Sequence, residues 1–314
     1  MLHKLASRSF LDNQHTITNP VSVSGVGLHT GVKVNLRLCP APANSGVVFR
    51  RTDLEDFIIE ARARNVARVS YATSLMKKGV LISTTEHLLS ALAGLEVDNA
   101  VVEIDNLELP ILDGSARPFV ELIAKAGILR QRARRNFVKI LKPVEVADGL
   151  KRIIVYPADS FRVTYHISFP HPLIGSQTID FAPAASDYAT EIAPARTFGF
   201  LEELEMLRKN GLIRGGSLEN AVVLDRRGVV NPEGLRFPDE FCRHKLLDLI
   251  GDFSLLGRPL LGNVVAERAG HAMHAQLVSR LLQERQSWKL VSATDAAAQA
   301  VSEPSAVFAT SEAQ

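Results

Sequence analysis

The segment Phe237–Asp252 carries an imidazole and a carboxylate at a spacing that suits metal binding. It reads FPDEFCRHKLLDLIGD, and its pattern predicts a helix over Asp239–Ile250 with Gly251 just past its end. His244 and Asp248 are four residues apart, so their side chains project from one face of that helix. Imidazole nitrogen and carboxylate oxygen are both zinc ligands, although such a pair taken alone is more often a surface ion pair.

The segment Ser83–Leu92 (STTEHLLSAL) places a carboxylate beside a second imidazole, in Glu86 and His87. On a helix that starts at Thr84, adjacent side chains point about 100° apart, so both could line one wall of a cleft. His87 could then bind a metal while Glu86 faces a bound water molecule. A structural role is the alternative, because Ser83-x-x-Glu86 matches a capping box.

Two further motifs could complete a site. Arg268–His274 (RAGHAMH) places His271 just after a junction between a strand and a helix, where it could act as an acid, whereas His274 is expected to face outward. Ala193–Phe200 (APARTFGF) offers the Thr197 hydroxyl to an oxyanion. Neither motif is specific when taken alone.

Together, these motifs supply the ligands of a catalytic zinc ion. His87, His244 and Asp248 make two imidazoles and one carboxylate, which leaves a fourth coordination position open. A zinc ion lowers the pKa of bound water to roughly 7 and polarises a carbonyl. Glu86 then remains as the base and His271 as the acid.

The elements that must position these residues are short strands and a few helices. Alternating or aliphatic runs predict strands at Thr16–Val26, Val32–Leu38, Gly46–Arg50, Ala100–Ile104, Val138–Val146, Ile153–Tyr156 and Phe161–Ile167. Helices are also predicted at Ala116–Ala126, Leu201–Lys209 and Ala272–Gln283. The glycine-rich turn Gly25–Gly31 (GVGLHTG) either closes a tight hairpin or presents His29 to a ligand. Strands and helices do not alternate regularly, and the chain has no nucleotide-binding glycine loop, which favours an α+β fold over a doubly wound sheet.

Composition excludes several classes of protein. The 314 residues include 36 Lys and Arg against 34 Asp and Glu, a net charge of +2, and 46% are hydrophobic. A disordered chain would be less hydrophobic, and a dedicated nucleic-acid binder would be more basic. At about 150 residues per domain, the length predicts two domains. The only cysteines, Cys39 and Cys242, are far apart, which excludes a disulfide scaffold and suits a reducing cytosol.

Three segments of unusual composition mark the ends and the middle of the chain. Met1–Asn13 has no continuous apolar core and is not expected to be a signal peptide. Leu129–Asn136 (LRQRARRN) is interpreted as a solvated linker between domains or, alternatively, as a contact surface for anionic membrane or nucleic acid. Ala293–Gln314 is rich in alanine and is predicted to be a disordered tail.

In this order, the motifs resemble one bacterial family, the zinc-dependent UDP-3-O-acyl-N-acetylglucosamine deacetylases of lipid A biosynthesis. The resemblance extends from about Thr16 to Trp288, and it is specific because six ordered motifs agree. The matching stretches are GVGLHTG (25–31), STTEHLLSAL (83–92), LPILDGSARPFV (109–120), ARTFGF (195–200), NPEGLRFPDEFCRHKLLDLIGD (231–252) and AGHA (269–272).

The resemblance implies a role for each matched residue. The implied zinc ligands are His87, His244 and Asp248. The implied catalytic residues are Glu86 as base, His271 as acid, Asp252 orienting that histidine, Thr197 beside the oxyanion and Lys245 in contact with the substrate. The implied substrate contacts are Lys151 and Phe169 around the UDP portion, Arg268 near the phosphates, and Phe198. The acyl-chain insert at about 199–217 adds Leu201, Leu204 and Leu207.

The resemblance also implies a fold and partners. The fold is two similar two-layer α+β sandwiches of the ribosomal protein S5 domain 2 type, with their helical layers facing each other and the active site between them. The implied limits are 1–133 and 134–292, followed by the tail at 293–314. The expected substrate is a UDP-linked acylated glucosamine, handled by a cytoplasmic monomer with no nucleic-acid partner and at most peripheral membrane contact.

Four positions depart from the family pattern. Ser168 and Pro170 replace the Asp and Asn that flank the phenylalanine in some members, Arg268 stands where lysine is common, and His274 stands where asparagine is frequent. None of the four belongs to the zinc ligand set. The alternative function is a metal amidohydrolase acting on another acylated amino sugar.

Overall fold

The computed structural model describes residues 13–183 and 185–293. The first half contains β1 (Asn13–Ile17), β2 (Val21–Val26), β3 (Lys33–Pro40), β4 (Val47–Arg51), β5 (Phe57–Glu60), β6 (Val66–Arg68), β7 (Ser74–Lys77), β8 (Val80–Ile82), α1 (Glu86–Gly94), β9 (Ala100–Ile104), α2 (Arg117–Ala126) and β10 (Ile128–Arg134). The second half contains β11 (Asn136–Ile140), β12 (Val144–Asp148), β13 (Lys151–Tyr156), β14 (Phe161–Ser168), β15 (Ser176–Phe181), β16 (Phe198–Phe200), α3 (Leu201–Lys209), β17 (Val222–Leu224), α4 (Glu240–Phe253), β18 (Leu260–Glu267), α5 (His271–Gln283) and β19 (Trp288–Ser292). Apart from Ala293, the predicted tail lies outside the described residues.

The two halves repeat one strand order. Five strands of the first half lie in the order β2-β3-β9-β4-β5, and five strands of the second half lie in the order β12-β13-β18-β14-β15. In each set only the third and fourth strands are parallel. Each half also has two further strands in equivalent places. In the first half, β1 forms a bridge with Asn99, just before β9, and pairs with β10. In the second half, β11 correspondingly pairs with β18 and with β19. This repeat confirms the predicted α+β fold with two similar halves, whereas the limit at 133/134 stays a prediction.

The helices occupy equivalent places in the repeat. Helix α1 precedes β9 as α4 precedes β18, and α2 and α5 follow those strands. Helix α1 packs directly against α4, so the helical layers of the two halves meet. Buried aliphatic side chains of both helices, such as Leu88 and Leu247, belong to one continuous core. Among the described residues, no helix is long and apolar enough to span a bilayer.

Gly251 lies inside α4, so the prediction that it ends the helix is wrong. The helix continues to Phe253. A Cβ added at Gly251 would lie 2.2 Å from the carbonyl oxygen of Glu86. Glycine is therefore required at this position by the close approach of α1, and its usual role as a helix stop does not apply.

Ser83 does not cap α1, so the capping-box interpretation is wrong as well. Its hydroxyl shares a hydrogen bond with the hydroxyl of Ser74 at 2.9 Å. The helix begins three residues later, at Glu86, after Thr84 has taken a left-handed conformation with a φ of 58°. The side chain of Glu86 is consequently available for another contact.

Most of the basic run forms a strand in place of the predicted linker. Strand β10 pairs antiparallel with β1, with Ile17 opposite Ile128, and its three arginines are exposed to solvent. Arg135, which follows it, is only 5% exposed because its guanidinium forms ion pairs with Asp98 at 2.9 Å and Glu96 at 3.3 Å. Arg135 is therefore not available to a membrane or a nucleic acid, whereas a contact surface formed by the three exposed arginines stays a hypothesis.

Two of the predicted strands are each divided in the structure. The run over Thr16–Val26 contains the end of β1 and the whole of β2, and the run over Val138–Val146 contains parts of β11 and β12. Polar and proline residues at these breaks interrupt the hydrogen-bond ladder. By contrast, α2, α3 and α5 match the predicted helices within one residue at either end.

Candidate metal centre and active site

Two helices, one from each half of the chain, bring the predicted metal ligands together. His87 is the second residue of α1, and His244 and Asp248 lie on one face of α4. The Nε2 atoms of His87 and His244 lie 3.8 and 3.4 Å from Oδ1 of Asp248, and all three side chains are buried. The two imidazole rings meet edge to face, with their centroids 5.1 Å apart. The three residues thus converge on one point.

This donor set fits a metal ion. Nδ1 of His244 lies 3.1 Å from the carbonyl oxygen of Ala195, which only accepts, so Nδ1 carries the proton and Nε2 keeps its lone pair. Oδ1 of Asp248 is buried without a hydrogen-bond partner among the described residues. Burial, together with His244, lowers the pKa of His87 to about 3, so its imidazole is neutral. A buried carboxylate oxygen is costly without a partner, and a cation would satisfy it.

Glu86, the predicted base, is held beside these ligands by Thr73. Oε2 of Glu86 accepts a hydrogen bond from the backbone N–H of Thr73 at 3.0 Å, and Oε1 lies 3.9 Å from Nε2 of His271. Burial raises the pKa of Glu86 to about 7, although the nearby His271 opposes the shift. A carboxylate with this pKa can take up and release a proton near neutral pH. Sequence reasoning missed Thr73, because the surrounding SYATS matches no motif.

His271 faces the same point from the start of α5. Its Nδ1 lies 2.7 Å from Oδ2 of Asp252, and its Nε2 lies 3.7 Å from Oδ2 of Asp248. The other oxygen of Asp252 accepts a hydrogen bond from the Thr73 hydroxyl at 2.6 Å. Burial alone would lower the pKa of His271, but the carboxylates of Asp252 and Asp248 raise it to about 9. The imidazole is therefore charged at neutral pH.

His274 points inward, so the prediction that it faces outward is wrong. The residue is fully buried, and its Nδ1 lies 2.8 Å from the same Asp252 oxygen that binds His271. Its position follows from helical geometry, since residues three apart on α5 share a face. That i,i+3 spacing was the available signal, but the sequence did not identify which face of α5 would be buried.

Lys245 and two phenylalanines form one side of the site. Nζ of Lys245 donates a hydrogen bond to Oδ2 of Asp248 at 2.7 Å and lies 5.8 Å from the centre of the Phe198 ring. That ring is 6.4 Å from the ring of His244 and 5.7 Å from that of Phe169. Of the two predicted substrate contacts, Phe198 thus lies beside the metal ligand His244, and Phe169 packs against Phe198.

Thr197 lies on the segment that passes His244. Its backbone N–H donates to the carbonyl of Gly114 at 2.8 Å, which ties the segment to the first half of the chain. The neighbouring Arg196 is buried and forms an ion pair with Glu240 at 2.9 Å. These contacts hold Thr197 half-buried, two residues beyond the carbonyl that orients His244.

Lys151 and Arg268 lie at one end of the second sheet. The register of β13 and β18 pairs Arg152 with Glu267, and Lys151 and Arg268 are the next residues on the two antiparallel segments. Both side chains are exposed, and Arg268 has a left-handed φ of 51° just before α5 begins. The register therefore groups these two cations with each other.

The predicted acyl insert rests on the glycine-rich turn of the first half. The backbone N–H of Gly215 donates to the carbonyl of Leu28 at 3.0 Å, and a Cβ at Gly215 would lie 2.2 Å from the carbonyl oxygen of Gly27. The turn GVGLHTG thus joins β2 to β3 and also receives the insert. The predicted acyl contacts on α3 differ in exposure: Leu201 is exposed, Leu204 is half-buried and Leu207 is buried.

Comparison with known proteins agrees with this arrangement over almost the whole chain. Residues 14–283 match the family described as UDP-3-O-acyl N-acetylglycosamine deacetylase. Curated proteins named UDP-3-O-acyl-N-acetylglucosamine deacetylase are similar to this chain. One from Solibacter usitatus is 55% identical over 88% of this chain and 93% of its own length. Others from Myxococcus xanthus (48% identical, 90% of each chain) and Pseudomonas entomophila (46%, covering 92% and 96%) are also similar.

The family is one of metalloenzymes, and the convergence of His87, His244 and Asp248 provides a group that could hold a metal ion. The match covers both halves of the repeat and every motif that contributes to the site. The chain therefore belongs to the UDP-3-O-acyl N-acetylglycosamine deacetylase family.

Proposed function

We propose that this protein hydrolyses the 2-N-acetyl group of UDP-3-O-acyl-N-acetylglucosamine, releasing acetate and UDP-3-O-acyl-glucosamine in the committed step of lipid A biosynthesis. The names of the relatives support this substrate. The observation that carries the proposal is the placement of Glu86 and His271 beside one buried set of metal ligands. A base and a charged acid at one point are what hydrolysis of an amide requires.

We propose zinc as the metal, held by His87, His244 and Asp248. Two imidazoles and one carboxylate with a fourth position open are typical of catalytic zinc. When bound, the ion would activate a water molecule and polarise the acetyl carbonyl. Lys245 would keep the second oxygen of Asp248 paired, so that Oδ1 remains directed at the ion.

Proton transfers in the proposed reaction belong to Glu86 and His271. Glu86 takes a proton from the attacking water molecule while the water oxygen forms a bond to the acetyl carbon. The Thr197 hydroxyl donates to the developing oxyanion. His271, charged and oriented by Asp252, gives its Nε2 proton to the glucosamine nitrogen as the carbon–nitrogen bond breaks. Acetate and the free amine are the products.

Substrate binding would use two surfaces near Glu86 and His271, one for the UDP portion and one for the acyl chain. Lys151 and Arg268 suit the diphosphate, and Phe169 and Phe198 offer aromatic faces between it and the metal ligands. The insert at 199–217 would take the acyl chain along Leu201, Leu204 and Leu207. In this proposal, the domain of residues 1–133 supplies Glu86 and His87, and the domain of residues 134–292 supplies the remaining groups. A monomer in the cytoplasm, with no nucleic-acid partner, remains the expectation.

Acetate release from two substrates tests the proposal. The protein should release acetate from UDP-3-O-acyl-N-acetylglucosamine and much less from UDP-N-acetylglucosamine, which lacks the acyl chain. Equal rates on both would contradict the role of the insert. Release only from other acylated amino sugars would favour the alternative amidohydrolase.

A further inference from the structure

A buried chain of hydrogen bonds lies behind His271. The Tyr165 hydroxyl lies 3.1 Å from Nε2 of His274, and Nδ1 of His274 lies 2.8 Å from Oδ2 of Asp252. That oxygen lies 2.7 Å from Nδ1 of His271. Tyr165 and His274 are fully buried, and neither is among the residues proposed to touch metal or substrate.

The proton positions along this chain follow from its end groups. A carboxylate only accepts, so both His274 and His271 direct an Nδ1–H at Asp252. The carbonyl of Ala269, which also only accepts, lies 2.9 Å from the Tyr165 hydroxyl. Whichever neighbour takes the tyrosine proton, Nδ1 of His274 remains a donor to Asp252. The orientation of the carboxylate is thus fixed from behind.

Three donors hold the carboxylate of Asp252. The Thr73 hydroxyl bonds Oδ1 at 2.6 Å, and the two histidines share Oδ2. Without His274, one side of Oδ2 would face a buried space with no donor, and the carboxylate could turn away from His271. A second cation between these residues does not fit as well, because distances of 2.7 and 2.8 Å are shorter than the roughly 3 Å or more that separates two ligands of one ion.

We propose that His274 is a positioning residue for the reaction: by fixing Asp252 it holds the His271 ring so that Nε2 faces the reacting centre. This inference rests on the proposed function. Nε2 of His271 is the atom within 4 Å of both Glu86 and Asp248, at 3.9 and 3.7 Å. A small rotation of the ring would remove it from that position, and misplacement by about 1 Å can cost two orders of magnitude in rate.

Two substitutions at this position separate positioning from packing. His274→Leu introduces an apolar side chain of similar size and removes the donor, whereas His274→Asn keeps an N–H that can reach Asp252. We expect kcat of the leucine variant to fall about 10- to 100-fold with KM and metal content unchanged. The asparagine variant should recover most of the wild-type kcat. Leu277→Ala, on the same helix and fully buried, is the control and should lower Tm but keep kcat.

The outcomes are distinct. A leucine variant with wild-type kcat, or equal losses in the leucine and asparagine variants, would overturn the inference. If the leucine variant does not fold, Tyr165→Phe replaces it and should lower kcat at constant KM; an unchanged kcat would again contradict the inference. Absence of deacetylation by the wild-type protein would instead refute the proposed function.

Discussion

The carbonyl oxygen of Glu86 lies so close to Gly251 that a Cβ added there would approach it to 2.2 Å. This contact lies where α1 packs against α4, one residue before His87 on the first helix and three residues after Asp248 on the second. Because the backbones meet at a glycine, the side chains next to the crossing can converge within 4 Å. The metal ligands are therefore positioned by a helix crossing that joins the two halves.

Replacement of Gly251 by alanine tests the crossing. Alanine inside a helix normally stabilises it by up to about 1 kcal/mol relative to glycine. Here we expect the opposite sign, a loss of about 1–3 kcal/mol, because the added methyl group must displace α1. Metal affinity should fall as well, and urea unfolding with metal titration measures both. Gly228→Ala is the control, since a Cβ there meets no atom within 4 Å; equal behaviour of the two variants would count against the crossing.

Replacement of Glu86 by glutamine tests the proposed base. The amide oxygen can still accept from the Thr73 N–H, so folding and metal content should be preserved. The variant has no carboxylate to take up a proton, and kcat should fall by about 10²- to 10⁴-fold. Steady-state rates and metal analysis on the same sample provide the measurement. Full activity in this variant would exclude Glu86 as the base.

Asp113 should make stability depend on pH. Burial alone would raise its pKa, but hydrogen bonds from Ser115 and the Arg236 guanidinium, 3.0 Å away in the second half, lower it. A lowered folded-state pKa stabilises the protein above the unfolded pKa of about 3.9, and this contribution is lost as pH falls through the folded value.

Asp113→Asn should therefore cost about 1.5–3 kcal/mol at pH 7, as expected for a hydrogen bond to a charged group. The difference from wild type should shrink at pH values below about 4. The measurement is urea unfolding of the variant and the wild type at pH 7 and at a pH below about 4. Asp148→Asn, at an exposed hairpin end, serves as control. A difference that stays constant with pH would show that the Asp113 charge does not contribute.

The contact of Gly215 with the glycine-rich turn should influence recognition of the acyl chain. Gly215→Ala would force its methyl group against the carbonyl of Gly27 and push the insert away from the turn. We expect a higher KM for the acylated substrate, with little change in kcat or metal content. Gly199→Ala, where a Cβ would meet nothing within 4 Å, is the matched control. An unchanged KM would show that the contact between the insert and the turn does not contribute to acyl-chain binding.

Much of the architecture could be predicted from local patterns. Helix α3 was predicted to the residue and α2 to within one residue, because capping glycines and apolar periodicity are local signals. The convergence of His87 with His244 and Asp248 was expected from their residue types and from the family resemblance. Both kinds of information are contained in short stretches of sequence.

The wrong or missed predictions share a physical cause: contacts between distant segments, and not local sequence patterns, determine the roles of these residues. Gly251 resembles a helix stop, but the neighbouring helix requires it. His274 was expected to face outward, yet the buried carboxylate of Asp252, 22 residues earlier in the chain on α4, gives it a partner. Thr73 bonds both Glu86 and Asp252, although nothing in its own segment indicates a function. Contacts between distant segments carry no local signature.

The most direct test measures bound metal and acetate release on the same preparation. The purified protein should contain one metal ion per chain and release acetate from UDP-3-O-acyl-N-acetylglucosamine. A chelator should abolish both, zinc should restore both, and His244→Ala should prevent the restoration. A protein that contains no metal and releases no acetate, or one that remains fully active after complete removal of metal, would contradict the account.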